Sequence, residues 1–444
     1  MKKYFRAILT LALTLTVLTS CLFRPDGSGI TVPPTPAGET NRETSGTNAE
    51  TDGGRYYMPN NFGHVKAMWI SQFDLADMLV KNKAQRSRGE FIRLAEKMME
   101  NVASLGLNTV FVQTRPNGDS FYPSEIYPPS AFAVGKYGVD FSYEPFEILL
   151  AAAKKQGLSF HAWINPLRCM KPAEIALIDR KYPVALWYDS PELRGKYIVE
   201  VNGTLYLNPA YAAVRTLIAQ GAAEILERYD VDGIHIDDYF YPTTSRDFDA
   251  AAYGEYKEQD GRLSLADFRR ERINLLVAKL YGTVKARGNG FLFGISHGGN
   301  MNTNYNALYA DVAKWCAEAG FADYICPQVY FGFEHQTFPF DSVSSEFAAM
   351  AKKGSVKLII GMTLSKAYNG YVGTGDQYAG TGASEWIENR DVICRSLNYL
   401  KGIGNCGGVA FFSYRLLFDV LTGERVENTA DEAEHFIPVL KEMY

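Results

Sequence analysis

The chain runs to 444 residues, of which 47% are hydrophobic and 13% aromatic, with a formal charge of −5. That is enough apolar material for one large domain or two of medium size. A mildly acidic surface argues against nucleic acid as a partner, since that needs a basic face.

The first twenty residues read as a targeting segment. Lys2, Lys3 and Arg6 form a basic start, and the apolar run from Ala7 to Leu18 is too short to span a bilayer. It ends Leu18-Thr19-Ser20-Cys21, a sequence that resembles the lipobox of bacterial lipoproteins, with Cys21 as the lipidated N-terminus. Residues 21–61 then form a spacer rich in Pro, Gly, Thr and Ser, with too few large apolar side chains to build a core. The expectation is a lipid-anchored domain in the cell envelope, facing away from the cytoplasm. The other cysteines (Cys169, Cys316, Cys326, Cys394 and Cys406) are odd in number and show neither CxxC nor metal-ligand spacing, so buried free thiols are expected.

From residue 62 to 444 one pattern repeats: a β-rich run, a loop, a helix. The strand runs are 66–73, 108–115, 159–166, 233–240, 291–297, 323–330, 357–364 and 407–414. Eight of them alternating with helices predict an α/β fold, a (β/α)₈ TIM-type barrel. Helix ends carry their own marks. Gly106 and Gly157 close two helices, Asn208-Pro209 is expected to open a third, and Ser264 with Asp267 a fourth. One helix is expected from Ser384 to Tyr399 and a last from Glu432 to Met443. The long inserts, at 115–143, 166–208, 240–264 and 365–384, all follow strands, which puts them on the face where such barrels keep their chemistry.

The fourth run, Gly233 to Phe240, is unusual. Alternation sets His235, Asp237 and Tyr239 on one face, although a strand covered by helices should be apolar on both. Asp237 is its last inward residue, at the mouth, with Asp238 beside it. The neighbouring strand ends supply Gln113, Arg115, Trp163, Asn165, Gln328 and Tyr330, while Asp74 follows the first strand and Glu334 the sixth. Carboxyls around a mouth with Trp69, Tyr122, Trp163, Tyr239 and Phe331 suit glycoside hydrolysis, which takes an acid, a second carboxylate and rings against sugar faces. On this reading Asp237 is the ionised nucleophile or base, favoured by Arg115, Glu334 is the acid, and Asp238 assists. Asp74, Arg115, Trp163, Asn165, His235, Tyr239, Gln328 and Tyr330 hold substrate. The competing chemistry is a metal-dependent hydrolase built on His161, His235, His297 and His335. No HExxH occurs and no HxH pair ends the first strand, so neither metal nor cofactor is expected.

The runs DGIHIDDYFYP, NTVFVQTRPNGDSFYPS, HAWINP, YLNP and PQVYFGFE resemble the glycosyl-hydrolase-like 10 family of bacterial proteins. The resemblance implies a TIM-type barrel, often on a lipoprotein, and a glycosidase; some members act on peptidoglycan glycan strands stripped of peptides. The central strand resembles, more distantly, the α-amylase strand whose nucleophile maps to Asp237, whereas the role of Glu334 rests on position alone. A non-catalytic carbohydrate-binding lipoprotein is the alternative of another class.

Overall fold

The eight runs form eight parallel strands: β1 (Val65–Ile70), β2 (Thr109–Arg115), β3 (Ser159–Ile164), β4 (Gly233–Ile236), β5 (Leu292–Ile295), β6 (Tyr324–Ile325), β7 (Lys357–Thr363) and β8 (Cys406–Phe412). Each pairs with its neighbours in chain order, and β1 pairs with both β8 and β2, so the sheet closes. The computed structural model describes residues 57–444 apart from 353, 355, 374–375 and 377–378; the expected leader, Cys21 and most of the spacer lie outside the described residues. Residues 58–244 and 248–444 make one compact unit. Among the described residues no helix is long and apolar enough to cross a membrane.

The caps largely follow their sequence marks. Gly106 and Gly157 take φ of 79° and 70°, the left-handed conformation that glycine reaches without strain. Ser264 accepts from the Asp267 amide at the start of the helix Leu265–Arg287. Two expectations shift. Asn208 receives the Ala210 amide in a local turn, so the helix opens later, at Ala212. The helix expected from Ser384 to Tyr399 breaks into Ala383–Glu388 and Val392–Lys401, between which Asn389 and Asp391 leave helical backbone.

The barrel's inside is a layered core. Val65, Ala67, Trp69, Phe111, Trp163, Tyr324, Cys326, Ile359 and Ala410 pack into one cluster, as alternate inward positions of the strands must. Its N-terminal end is sealed by residues just ahead of the expected boundary: the Asn60 amide donates to Asp232, and Asn61 donates to the carbonyls of Asp232 and Gly290. At the opposite end all four long inserts gather. One carries a two-stranded hairpin, Ile198–Val201 with Thr204–Leu207. The five described cysteines are free thiols.

Candidate active site

The floor of the site is a hydrogen-bonded chain through the barrel interior. The Trp69 indole N–H can only donate, and it meets Nε2 of His235 at 3.1 Å. His235 therefore carries its proton on Nδ1 and donates it to the Tyr324 hydroxyl at 2.9 Å. That hydroxyl donates in turn to Nδ1 of His161 at 2.9 Å, and His161 Nε2–H reaches Oδ1 of Asn61. Phe111 stacks on His235 with centroids 4.2 Å apart. Burial pushes His161 down to about 3 and His235 well below the usual imidazole value. Both rings are neutral with every nitrogen engaged. His235, expected to hold substrate, instead supports Trp69 from beneath. Among the described residues no three of His, Cys, Asp or Glu are grouped to hold a metal.

Above this floor sits Asp237, at the end of β4. Its Oδ2 accepts from Asn165 at 2.6 Å and from the Trp163 indole at 3.1 Å, while its Oδ1 faces the Tyr239 amide at a longer 3.3 Å. Asn165 is itself set by Gln113 at 2.6 Å, and Gln113 accepts the Gln72 amide at 2.7 Å. Four elements therefore fix one carboxyl. Asp238 is half-buried, and the nearby Gln328 side chain favours its charged form. Burial raises both acids, and the charge of Asp238 raises Asp237 further, to about 8. Near neutrality this adjacent pair keeps a proton.

Two cavities open beside the pair. The first, about 180 Å³, holds Asp237 and Asp238 among Trp69, Trp163, Tyr330 and Phe412, with Arg168 and Tyr239 at its edge. The second, about 220 Å³, is lined by Gly299, Asn300, Asn304, Phe331 and Lys366. Asp238, Gln328 and Tyr330 belong to both walls, so Asp238 stands at the junction. Gly299 permits that junction to be narrow, because a Cβ there would lie 2.5 Å from the Gln328 carbonyl.

Of the expected site residues, Trp163, Asn165, Asp237, Asp238, Tyr239, Gln328 and Tyr330 come together here. Arg115 does not. A bulge between Gln113 and Arg115 turns it outward, where it lies 4.3 Å from the Tyr127 ring and packs against Gly221 of the helix Ala212–Arg228. Tyr122 goes with it, buried against Phe146 and Tyr229. Asp74 is fully buried at N3 of the helix Gln72–Leu79, completing a capping box in which it accepts from the amide and hydroxyl of the N-cap Ser71, and it also receives the Arg415 amide at 2.9 Å. Glu334 is exposed and lines neither cavity; its own amide donates to Glu385. Two cations of the site escaped the sequence reading, Arg168 and Lys366. Both stand just past strand ends, which is the signal that singles them out.

The profile of the family described as Glycosyl hydrolase-like 10 matches residues 64–377. Glycosyl hydrolase YngK of Bacillus subtilis (strain 168) is 31% identical over 328 residues, covering 69% of this chain and 62% of that protein. The chain thus spans less than two thirds of that relative. Glycosyl hydrolase DigH of Escherichia coli (strain K12) is 30% identical over 330 residues, covering 68% and 73%. The glycoside hydrolase domain of PgaB (BpsB) from Bordetella bronchiseptica superposes with a TM-score of 0.54 at 11% identity, covering 85% of this chain and 99% of the domain. The catalytic domain of a Paenibacillus polymyxa β-amylase gives 0.53 at 10%, covering 86% and 99%. At those identities the likeness is one of fold: a TIM barrel.

Proposed function

The chain belongs to the glycosyl hydrolase-like 10 family, and from that premise we propose that it hydrolyses O-glycosidic bonds of a polysaccharide, with peptide-free glycan strands of peptidoglycan as the substrate class. The observation carrying this reading is the adjacent pair Asp237 and Asp238 in a ring-lined cavity, with Asp238 at its junction with a second. Hydrolysis needs a proton for the leaving oxygen and a negative charge near the anomeric carbon. Asp237, raised to about 8, supplies the proton; with Asn165 and Trp163 on Oδ2 and only the longer Tyr239 amide contact on Oδ1, Oδ1 is the oxygen to carry it. Asp238, whose charged form Gln328 favours, supplies the charge. Trp69, Trp163 and Tyr330 give a sugar its apolar faces. The roles differ from the expectation of an ionised Asp237 paired with a Glu334 acid: Arg115, the reason for that ionisation, points elsewhere, and Glu334 lies outside the two cavities. No metal or cofactor enters this scheme. Lipidation at Cys21 would hold the barrel at the envelope membrane, outside the cytoplasm and close to such a substrate.

The test is incubation of the protein with peptide-free glycan strands, followed by measurement of new reducing ends. Wild-type chain should produce them, and Asp237→Asn and Asp238→Asn should each cut the rate by roughly a thousandfold or more while strands still bind. Binding without new reducing ends in the wild type would instead make this a carbohydrate-binding barrel.

A further inference from the structure

Lys366 is 4% exposed, yet it lines the cavity across Asp238 from Asp237. A buried ammonium is costly unless an anion accompanies it. Its ion-pair partner, Asp376, stands 4.0 Å away, beyond hydrogen-bond length. Asp376 is itself engaged on Oδ2 by Asn369 at 3.0 Å and by the Ser365 hydroxyl at 3.5 Å. The three N–H bonds of Lys366 are thus directed at no close acceptor on this carboxylate, and the cavity lies beside them. Asn300, Thr303 and Asn304 share the same wall, as a polar sugar unit requires. On the far side of the junction Arg168 edges the first cavity, its guanidinium 5.1 Å from the Tyr239 ring. Two cations along one carbohydrate groove make little sense for a neutral glycan, because each would lose water for hydroxyl partners alone.

We propose that the cavity holding Lys366 binds a sugar unit that bears a carboxylate, and that Lys366 selects for this group by pairing with it. The inference rests on the saccharide reading of the site, whose peptide-free strands would carry such carboxylates, and assigns their recognition to Lys366. A sugar carboxylate has two sources of equal chemistry, a uronic acid or a lactyl ether freed of its peptide. Lys366 stands with Asp376 and a ligand carboxylate as a triad in which the cation is shared, so removing the ligand's charge or the lysine's charge has the same consequence.

The experiment is a binding titration that leaves turnover aside. The full chain carrying Asp238→Asn is titrated with peptide-free glycan-strand fragments and with the same fragments whose carboxylates have been converted to methylamides. Oligogalacturonates form a third arm, which tells a uronic acid from a lactyl ether. The fragments with free carboxylates, or the oligogalacturonates, should bind about ten- to a hundredfold more tightly than the amidated fragments. Adding Lys366→Met should abolish that preference while leaving affinity for the amidated fragments unchanged. Lys366→Gln guards against a packing effect of the methionine and should behave alike. Equal affinity for charged and amidated fragments overturns the proposal. So does a lysine variant that weakens both equally, since that is a structural role. A lysine variant with wild-type Asp238 that only moves the pH profile of turnover would make Lys366 a tuner of Asp238, again overturning it. Charge-selective binding without new reducing ends from the wild type would sink the hydrolase reading and leave this one standing, whereas no binding of any fragment sinks both.

Discussion

Trp163 donates its indole N–H to Asp237 at 3.1 Å, so one ring lines the first cavity and also steadies the carboxyl beside it. A donor on a carboxylate favours the charged form, and removing it raises the pKa. Trp163→Phe keeps a ring and loses the donor. The alkaline limb of the pH–rate profile should move up and turnover should fall, with substrate affinity reduced less than for Trp163→Ala. An unmoved alkaline limb in Trp163→Phe would show that the contact does not tune Asp237.

Asp237 is also a stability probe. Its folded value, about 8, lies above the ordinary 3.8, so between those values the folded state holds more protons than the unfolded one. Stability therefore falls as pH rises from about 4 to about 8, and the penalty is complete above the folded value. Asp237→Asn should stabilise the chain at pH 8 by on the order of a few kcal/mol and much less at pH 5. Urea denaturation at both values reads the difference. A destabilised variant at pH 8, or one equally affected at both, would contradict the shift.

The barrel was legible because each strand run is bounded by turn residues and followed by a helical pattern. Asp237, Trp163 and Asn165 were legible because alternation alone decides their face. Arg115 obeys the same rule in the sequence, but a bulge one residue before it reverses the face, and no local signal announces the bulge. Glu334 was chosen for its place after β6; which way a loop carboxylate points depends on packing against the distant Glu385, which sequence spacing does not reveal. Lys366 is hidden for a related reason. A lysine in the first turn of the short helix Ser365–Tyr371 looks like solvent-facing charge until the cavity around it is known.

Asp74 illustrates how a mouth carboxylate can be structural. Its oxygens take the Ser71 amide, the Ser71 hydroxyl and the Arg415 amide, tying β1 to the segment after β8. Asp74→Ala would leave buried donors unmet and open the capping box with Ser71, a loss of about 2–4 kcal/mol. KM for glycan strands should change little in the folded variant. A large rise in KM with unchanged stability would restore Asp74 to the substrate.

The proposed lipid anchor has a direct test. If Cys21 carries the lipid, Cys21→Ala should move the protein from the membrane fraction to the soluble envelope fraction or leave an uncleaved precursor. An apolar run from Ala7 to Leu18 is too short to anchor by itself, so the effect should be large. Unaltered fractionation with normal processing would rule the anchor out.

The last prediction concerns the chain from Trp69 through His235, Tyr324 and His161 to Asn61. Its polarity follows from the single group with no choice, the indole N–H. Nitrogen-15 NMR of the rings should therefore find His235 protonated on Nδ1 and His161 on Nε2. Because burial holds His161 near 3 and His235 well below the usual imidazole value, neither ring should titrate between pH 5 and 8. Tyr324→Phe removes the central hydroxyl and strands one donor and one acceptor in the core, a loss of about 2–5 kcal/mol. With that bridge gone, His235 is free to turn, and Trp69 loses the acceptor that sets its ring in the cavity. Turnover should then fall through KM, because the ring that receives the sugar is misplaced while Asp237 and Asp238 keep their partners. The opposite tautomers, or either ring titrating near neutrality, would refute this arrangement.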